Sequence, residues 1–148
     1  MKPVLRFVVS LKTVYLTEAW AEQALAAVEA DAKVQKAVAG LDLSLLAIIL
    51  EAPEGRYGFI YVAFDKQGLS DYRVGYDYEA VTKGLAEPTF VVSGKYEVFA
   101  AMQRGEIGER RALLTGRLHL TGSLVKALRH MNALETVTAA LNTIDCVT

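Results

Sequence analysis

The sequence predicts an α+β fold: a helical lead-in, a meander of strands, then helices around one late strand, five strands in all. Three observations carry that prediction. Apolar residues recur at helical spacing between 17 and 38. Three strand-like runs between 43 and 75 are separated by short turns, which makes them antiparallel neighbours. A second set of helix starts and glycine stops follows residue 93.

Thr17 is a candidate N-cap, with Glu18 at the positive helix end and Trp20, Ala24, Ala27 and Val28 along one apolar stripe. Asp31 should cap a second short helix bearing Val34 and Val38, and Gly40 should stop it. Val4 to Tyr15 reads as a strand or an extended lead-in. Leu43–Leu50 is a short, nearly continuous apolar run, as expected of a strand buried on both faces. Ala52-Pro53-Glu54-Gly55 is a turn, Tyr57–Phe64 is a second strand, and Asp65-Lys66-Gln67-Gly68 is a second turn. Leu69 to Gly75 alternates like an edge strand.

Pro88 to Val92 reads as a fourth strand, and Ser93 as the cap of a helix running to about Arg104, where Gly105 stops it. A short helix near Glu109–Leu114 ends at Gly116. Arg117 to Thr121 alternates as a fifth strand and ends at Gly122. Ser123 should cap a helix on which Leu124, Leu128 and Met131 share a face. A final helix carries Leu134, Val137, Leu141 and Ile144. There is no internal repeat or linker, so residues 1–148 read as a single domain.

Composition narrows the function. Of 148 residues, 53% are apolar. Globular averages, counted with glycine and without tyrosine, run at roughly 45–50%, and the chain exceeds them on that basis too. Disorder is excluded. The surplus needs a larger core, an interface or a cavity to line. Lys+Arg is 16 against 17 Asp+Glu, which argues against a nucleic-acid partner. Arg110 to Leu134 nonetheless holds five basic residues and no acid. That segment is either a solvated face or a positive rim for an anionic headgroup or membrane surface. The single Cys146 suits a reducing compartment, and no apolar run approaches the ~20 residues of a membrane span. A soluble, cytoplasmic protein is expected.

Chemistry is thinly represented. Neither phosphate-loop pattern nor a nucleophile elbow occurs. His119 and His130 lie eleven apart, on a strand and a helix, with no acid between them, which is a poor start for a metal site. Asp42, Glu51, Asp65 and Asp71 fall at strand ends or turns. No catalytic residue, metal site or cofactor is expected.

From Phe90 the chain reads Phe-Val-Val-Ser-Gly-Lys-Tyr-Glu-Val-Phe-Ala-Ala-Met-Gln-Arg-Gly-Glu-Ile. It goes on through Ala112-Leu113-Leu114-Thr115-Gly116-Arg117-Leu118-His119-Leu120-Thr121-Gly122-Ser123-Leu124. This register of glycines and apolar positions resembles the C-terminal half of the SCP-2 sterol-carrier family, over roughly residues 85–132. The helix around Trp20 and the strand meander are similar to small bacterial members. The resemblance implies a five-stranded, mainly antiparallel sheet covered by helices, with an apolar tunnel between them. It also implies a non-enzymatic carrier of fatty acids, acyl-CoAs, sterols or isoprenoid-like lipids.

Carried onto this chain, the tunnel-facing positions are Phe99, Met102, Leu113, Leu114, Leu118, Leu120, Leu124, Leu128 and Met131. Leu134, Val137 and Leu141 form a lid, and Arg117, Lys126 and Arg129 form a headgroup rim. Each apolar position is equally readable as ordinary core. Two other readings stay open: an interaction or quinone-biosynthesis accessory module, with the apolar surplus as a dimer interface, and a small enzyme using His119 or His130.

Overall fold

The computed structural model describes residues 12–148, so the strand or extended lead-in read at Val4 to Tyr15 lies outside it up to residue 11. Thr13–Val14 forms a short strand, β1. Helix α1, Glu18–Ala30, starts where the Thr17 hydroxyl accepts from the Trp20 amide at 3.3 Å. Helix α2, Ala32–Val38, starts where Asp31 Oδ1 accepts from the amides of Lys33 and Val34 at 2.8 and 3.2 Å. Gly40 then takes a φ of +75°, cheap only for glycine.

Strands β2 (Leu43–Ala52), β3 (Arg56–Asp65) and β4 (Gly68–Gly75) form the expected antiparallel meander. β5 (Phe90–Lys95) pairs with β2 in parallel, and β6 (Leu118–Thr121) pairs antiparallel to β5. The sheet order is β4-β3-β2-β5-β6, which places the most apolar strand at its centre. A reciprocal pair pins the parallel register. Ser44 N donates to Thr89 Oγ1, and Thr89 N donates to Ser44 Oγ, both at 3.0 Å.

Alternation divides β2 between two layers. Leu43, Leu45, Ala47 and Ile49 face the helical layer, while Leu46 and Ile48 pack with Phe59, Tyr61 and Val81 on the other side. Val81 belongs to α3, Tyr78–Thr82, in a stretch where the sequence shows no regular pattern. This helix is one short turn capped by Asp77, too brief to show a period.

The helical layer is α1, α2, α4 (Tyr96–Gln103), α5 (Glu109–Leu114), α6 (Leu124–Arg129) and α7 (Met131–Leu141). Ser93 does not cap α4. It is laddered to Ile48 on one side and His119 on the other, so the strand runs on to Lys95. Ser123 does cap α6, accepting from Lys126 N at 3.1 Å. The helix expected to continue through Met131 breaks at His130 (φ −100°, ψ 6°), so Leu124 and Met131 end on different faces. Ile144 falls just beyond α7, and Asp71 lies mid-strand in β4, paired with Arg73 at 3.0 Å, rather than at a strand end. Cys146–Val147 forms β7, parallel to β1, a pairing invisible to local pattern.

Candidate functional site

Between the sheet and the helical layer lies a cavity of about 190 Å³. Its floor is the inward face of the sheet: Leu45 and Ala47 on β2, Ile60, Val62 and Phe64 on β3, Leu69 and Tyr72 on β4, Phe90 and Val92 on β5, and Leu118 and Leu120 on β6. Its roof comes from Trp20, Ala24, Leu25 and Val28 of α1, with Phe99 and Met102 of α4, Leu113 of α5 and Ala127 of α6. Met131, Leu134, Val137 and Leu141 of α7 complete it, and Tyr15 borders it beside Trp20. Among the described residues no Lys, Arg or His borders the cavity, and the polar side chains that do are Tyr15, Trp20, Tyr72, Gln103, Glu109 and Thr138.

Nine of the positions carried over from the family resemblance border this space: Phe99, Met102, Leu113, Leu118, Leu120, Met131, Leu134, Val137 and Leu141. Three do not. Leu114 is 61% exposed, because successive residues on a helix point about 100° apart and Leu113 takes the inward direction. Leu124 is 46% exposed on the outer face of α6, and Leu128 is half-buried beside the cavity wall without lining it. Arg117, Lys126 and Arg129 are exposed, and none forms an ion pair among the described residues. Arg129 borders a shallow surface depression with His130 and Ala37 instead of the cavity.

The lining from β2, β3, β4 and β5 and the α1 contribution were missed. Strand alternation carried the signal in 43–50 and 57–64, but alternation says which residues share a face without saying which face meets the helices.

Polar contacts hold α7 over the cavity. Gln103 Nε2 donates to Leu141 O at 2.8 Å, and Thr138 Oγ1 donates to Glu109. Arg110 meets Asn132 Oδ1 at 3.0 Å and Glu135 at 3.8 Å. Burial is the largest influence on the Glu109 carboxyl and raises its pKa, the nearby Glu135 adds to that, and the Thr138 bond opposes it. A carboxyl whose pKa is higher folded than unfolded stabilises the fold below its unfolded pKa, and that contribution is lost as pH rises through the folded pKa. Glu109→Gln should therefore raise the melting temperature at pH 8, and the gain should shrink toward pH 4. Thermal melts at the two pH values check this, and an equal effect at both would contradict it.

His119 is exposed on β6 and His130 half-buried between helices, and among the described residues no group of three His, Cys, Asp or Glu is placed to hold a metal ion. Burial pushes the Cys146 thiol up, the reverse of what activates a nucleophile. No helix among the described residues is long and apolar enough to cross a membrane.

No curated protein sequence matches the chain, but its architecture matches solved structures. A crystal structure of sterol carrier protein 2 superposes with a TM-score of 0.71 at 18% identity, covering 88% of this chain and 98% of that one. A conserved hypothetical protein from Thermus Thermophilus, described as possibly a sterol carrier protein, gives 0.73 at 17% identity, covering 93% and 94%. Sterol carrier protein domain 2 of Helicoverpa armigera gives 0.51 at 16%, covering 82% and 84%. At such identities these likenesses speak for the fold. The model of the SCP-2 sterol transfer family matches residues 21–135, well over half of the sequence, and the chain belongs to that family.

Proposed function

We propose that the protein binds an apolar lipid in the cavity between sheet and helices and carries it reversibly, without chemistry. The observation that carries this reading is an internal space lined almost wholly by apolar side chains in a member of a sterol transfer family. The cavity is a little larger than the roughly 150 Å³ apolar void that takes up benzene and otherwise stays dry. A longer ligand must widen it, and Met102 and Met131 in its wall are the side chains best able to re-pack. Burying ten methylenes is worth roughly 8 kcal/mol at ~0.8 kcal/mol each, against an association cost on the order of 4–15 kcal/mol. That balance suits release as well as uptake.

The rim reading is part of the proposal. Arg117, Lys126 and Arg129 stand near exposed Leu124 and Val125 in sequence, a combination suited to brief contact with an anionic membrane surface. Delipidated protein titrated with fluorescent fatty acid and sterol analogues should show saturable binding to at least one. Transfer to anionic vesicles should outpace transfer to neutral ones and slow with added salt. Failure to saturate with every lipid class would overturn the carrier reading.

A further inference from the structure

Two buried polar atoms on side chains lining the cavity have no hydrogen-bond partner among the described residues: Trp20 Nε1 and the Tyr72 hydroxyl. Buried polar groups are almost always paired, so two orphans bordering one cavity ask for an explanation. Both side chains belong to the packing cluster that also holds Tyr15. The Tyr15 ring meets Trp20 edge-on with centroids 4.9 Å apart. Burial, reinforced by the neighbouring phenols of Tyr96 and Tyr72, pushes the Tyr15 phenol up, and burial alone does the same for Tyr72. This end of the cavity therefore presents neutral hydrogen-bonding groups. The other end, around Val28, Phe64, Phe90 and Ala127, is apolar.

We propose that the Tyr15–Trp20–Tyr72 end is a subsite for one uncharged oxygen function of the ligand, a hydroxyl or a ketone or ester carbonyl, with the hydrocarbon body directed toward Phe64 and Phe90. The inference rests on the cavity being the lipid site. An indole N–H can only donate, so it calls for an acceptor, and the Tyr72 hydroxyl can donate or accept in turn. A carboxylate or phosphate would also accept, but among the described residues no cationic side chain borders the cavity, and the Glu109 carboxyl already borders it. An anionic head brought inside would be desolvated without a counter-charge. A pure hydrocarbon would leave both orphans unpaired.

The test compares decan-1-ol, decanoate and decane, each presented from cyclodextrin at pH 8 to the full chain, in competition with a fluorescent lipid. Trp20 is the sole tryptophan, so its emission reports on the indole directly. Decan-1-ol should bind at least about 100-fold more tightly than decanoate. It should also shift the Trp20 emission to the red, and decane should not. Tyr72→Phe should weaken decan-1-ol about three- to tenfold relative to decane, with a thermal melt showing that the variant folds. Decanoate binding as tightly as decan-1-ol, or a Tyr72→Phe variant with unaltered selectivity, overturns the subsite and leaves the cavity reading standing. If neither the three ligands nor the fluorescent lipid binds, the cavity reading falls and takes the subsite with it.

Discussion

Ala47→Phe should weaken ligand uptake by about 100-fold or more while leaving the protein folded. Ala47 is 4% exposed on the central strand, opposite Ile60 on β3 and Val92 on β5, and all three border the cavity. The substitution adds a benzene ring to an alanine side chain. The space available, about 190 Å³, is close to the roughly 150 Å³ that accommodates free benzene. The ring would occupy the room a ligand needs. The stability cost is bounded by the ~1–3 kcal/mol typical of added bulk in a core, and the filled void offsets part of it. Titration with the fluorescent lipid alongside a thermal melt separates the two effects. A folded variant that still binds at wild-type affinity would place the ligand elsewhere.

Gly94→Val should cost about 3 kcal/mol, at the upper end of overpacking penalties. Gly94 lies in β5 with Ile49 on one side and Leu118 on the other. A Cβ there would stand 2.7 Å from Leu118 Cδ2, 3.0 Å from the Arg117 carbonyl oxygen and 3.4 Å from Phe99 Cε2. Leu118 can swing away, but the Arg117 carbonyl is backbone and can move only with the strand. The demand at this glycine is for space, since its backbone is extended. Leu118 and Phe99 both line the cavity, so ligand affinity should fall with stability. An unchanged urea midpoint would show that β6 shifts to accommodate the side chain more easily than these distances imply.

Local chemistry made much of this fold legible in the sequence. The hydroxyls and carboxyl at Thr17, Asp31 and Ser123 cap the helices they were expected to cap. Gly40, Gly105, Gly116 and Gly122 all take positive φ at the stops read for them. What was not legible depends on partners far away in the chain. Ser93 looks like a helix cap by type, but two neighbouring strands claim its backbone. The β2–β5 pairing is parallel, and no turn signals it. The positions carried over from the family resemblance that border the cavity lie on α4, α5, β6 and α7, whereas the lining from β2 to β5 needed a choice of face that period-two alternation cannot make. The orphaned atoms of Trp20 and Tyr72 are a property of packing alone.

The pairing of β1 with β7 bears on how the protein is made. The Tyr15 amide donates to Val147 O at 2.8 Å, one residue beyond a ladder that joins Thr13 to Cys146. Synthesis runs from the N-terminus at roughly 5–20 residues per second. The β2–β3–β4 meander can pair as soon as residue 75 has left the ribosome. The wall that Tyr15 contributes cannot be fastened until residue 147 has emerged. On the nascent chain the Tyr15 segment therefore waits for its strand partner until residue 147 is available, long after the meander has paired.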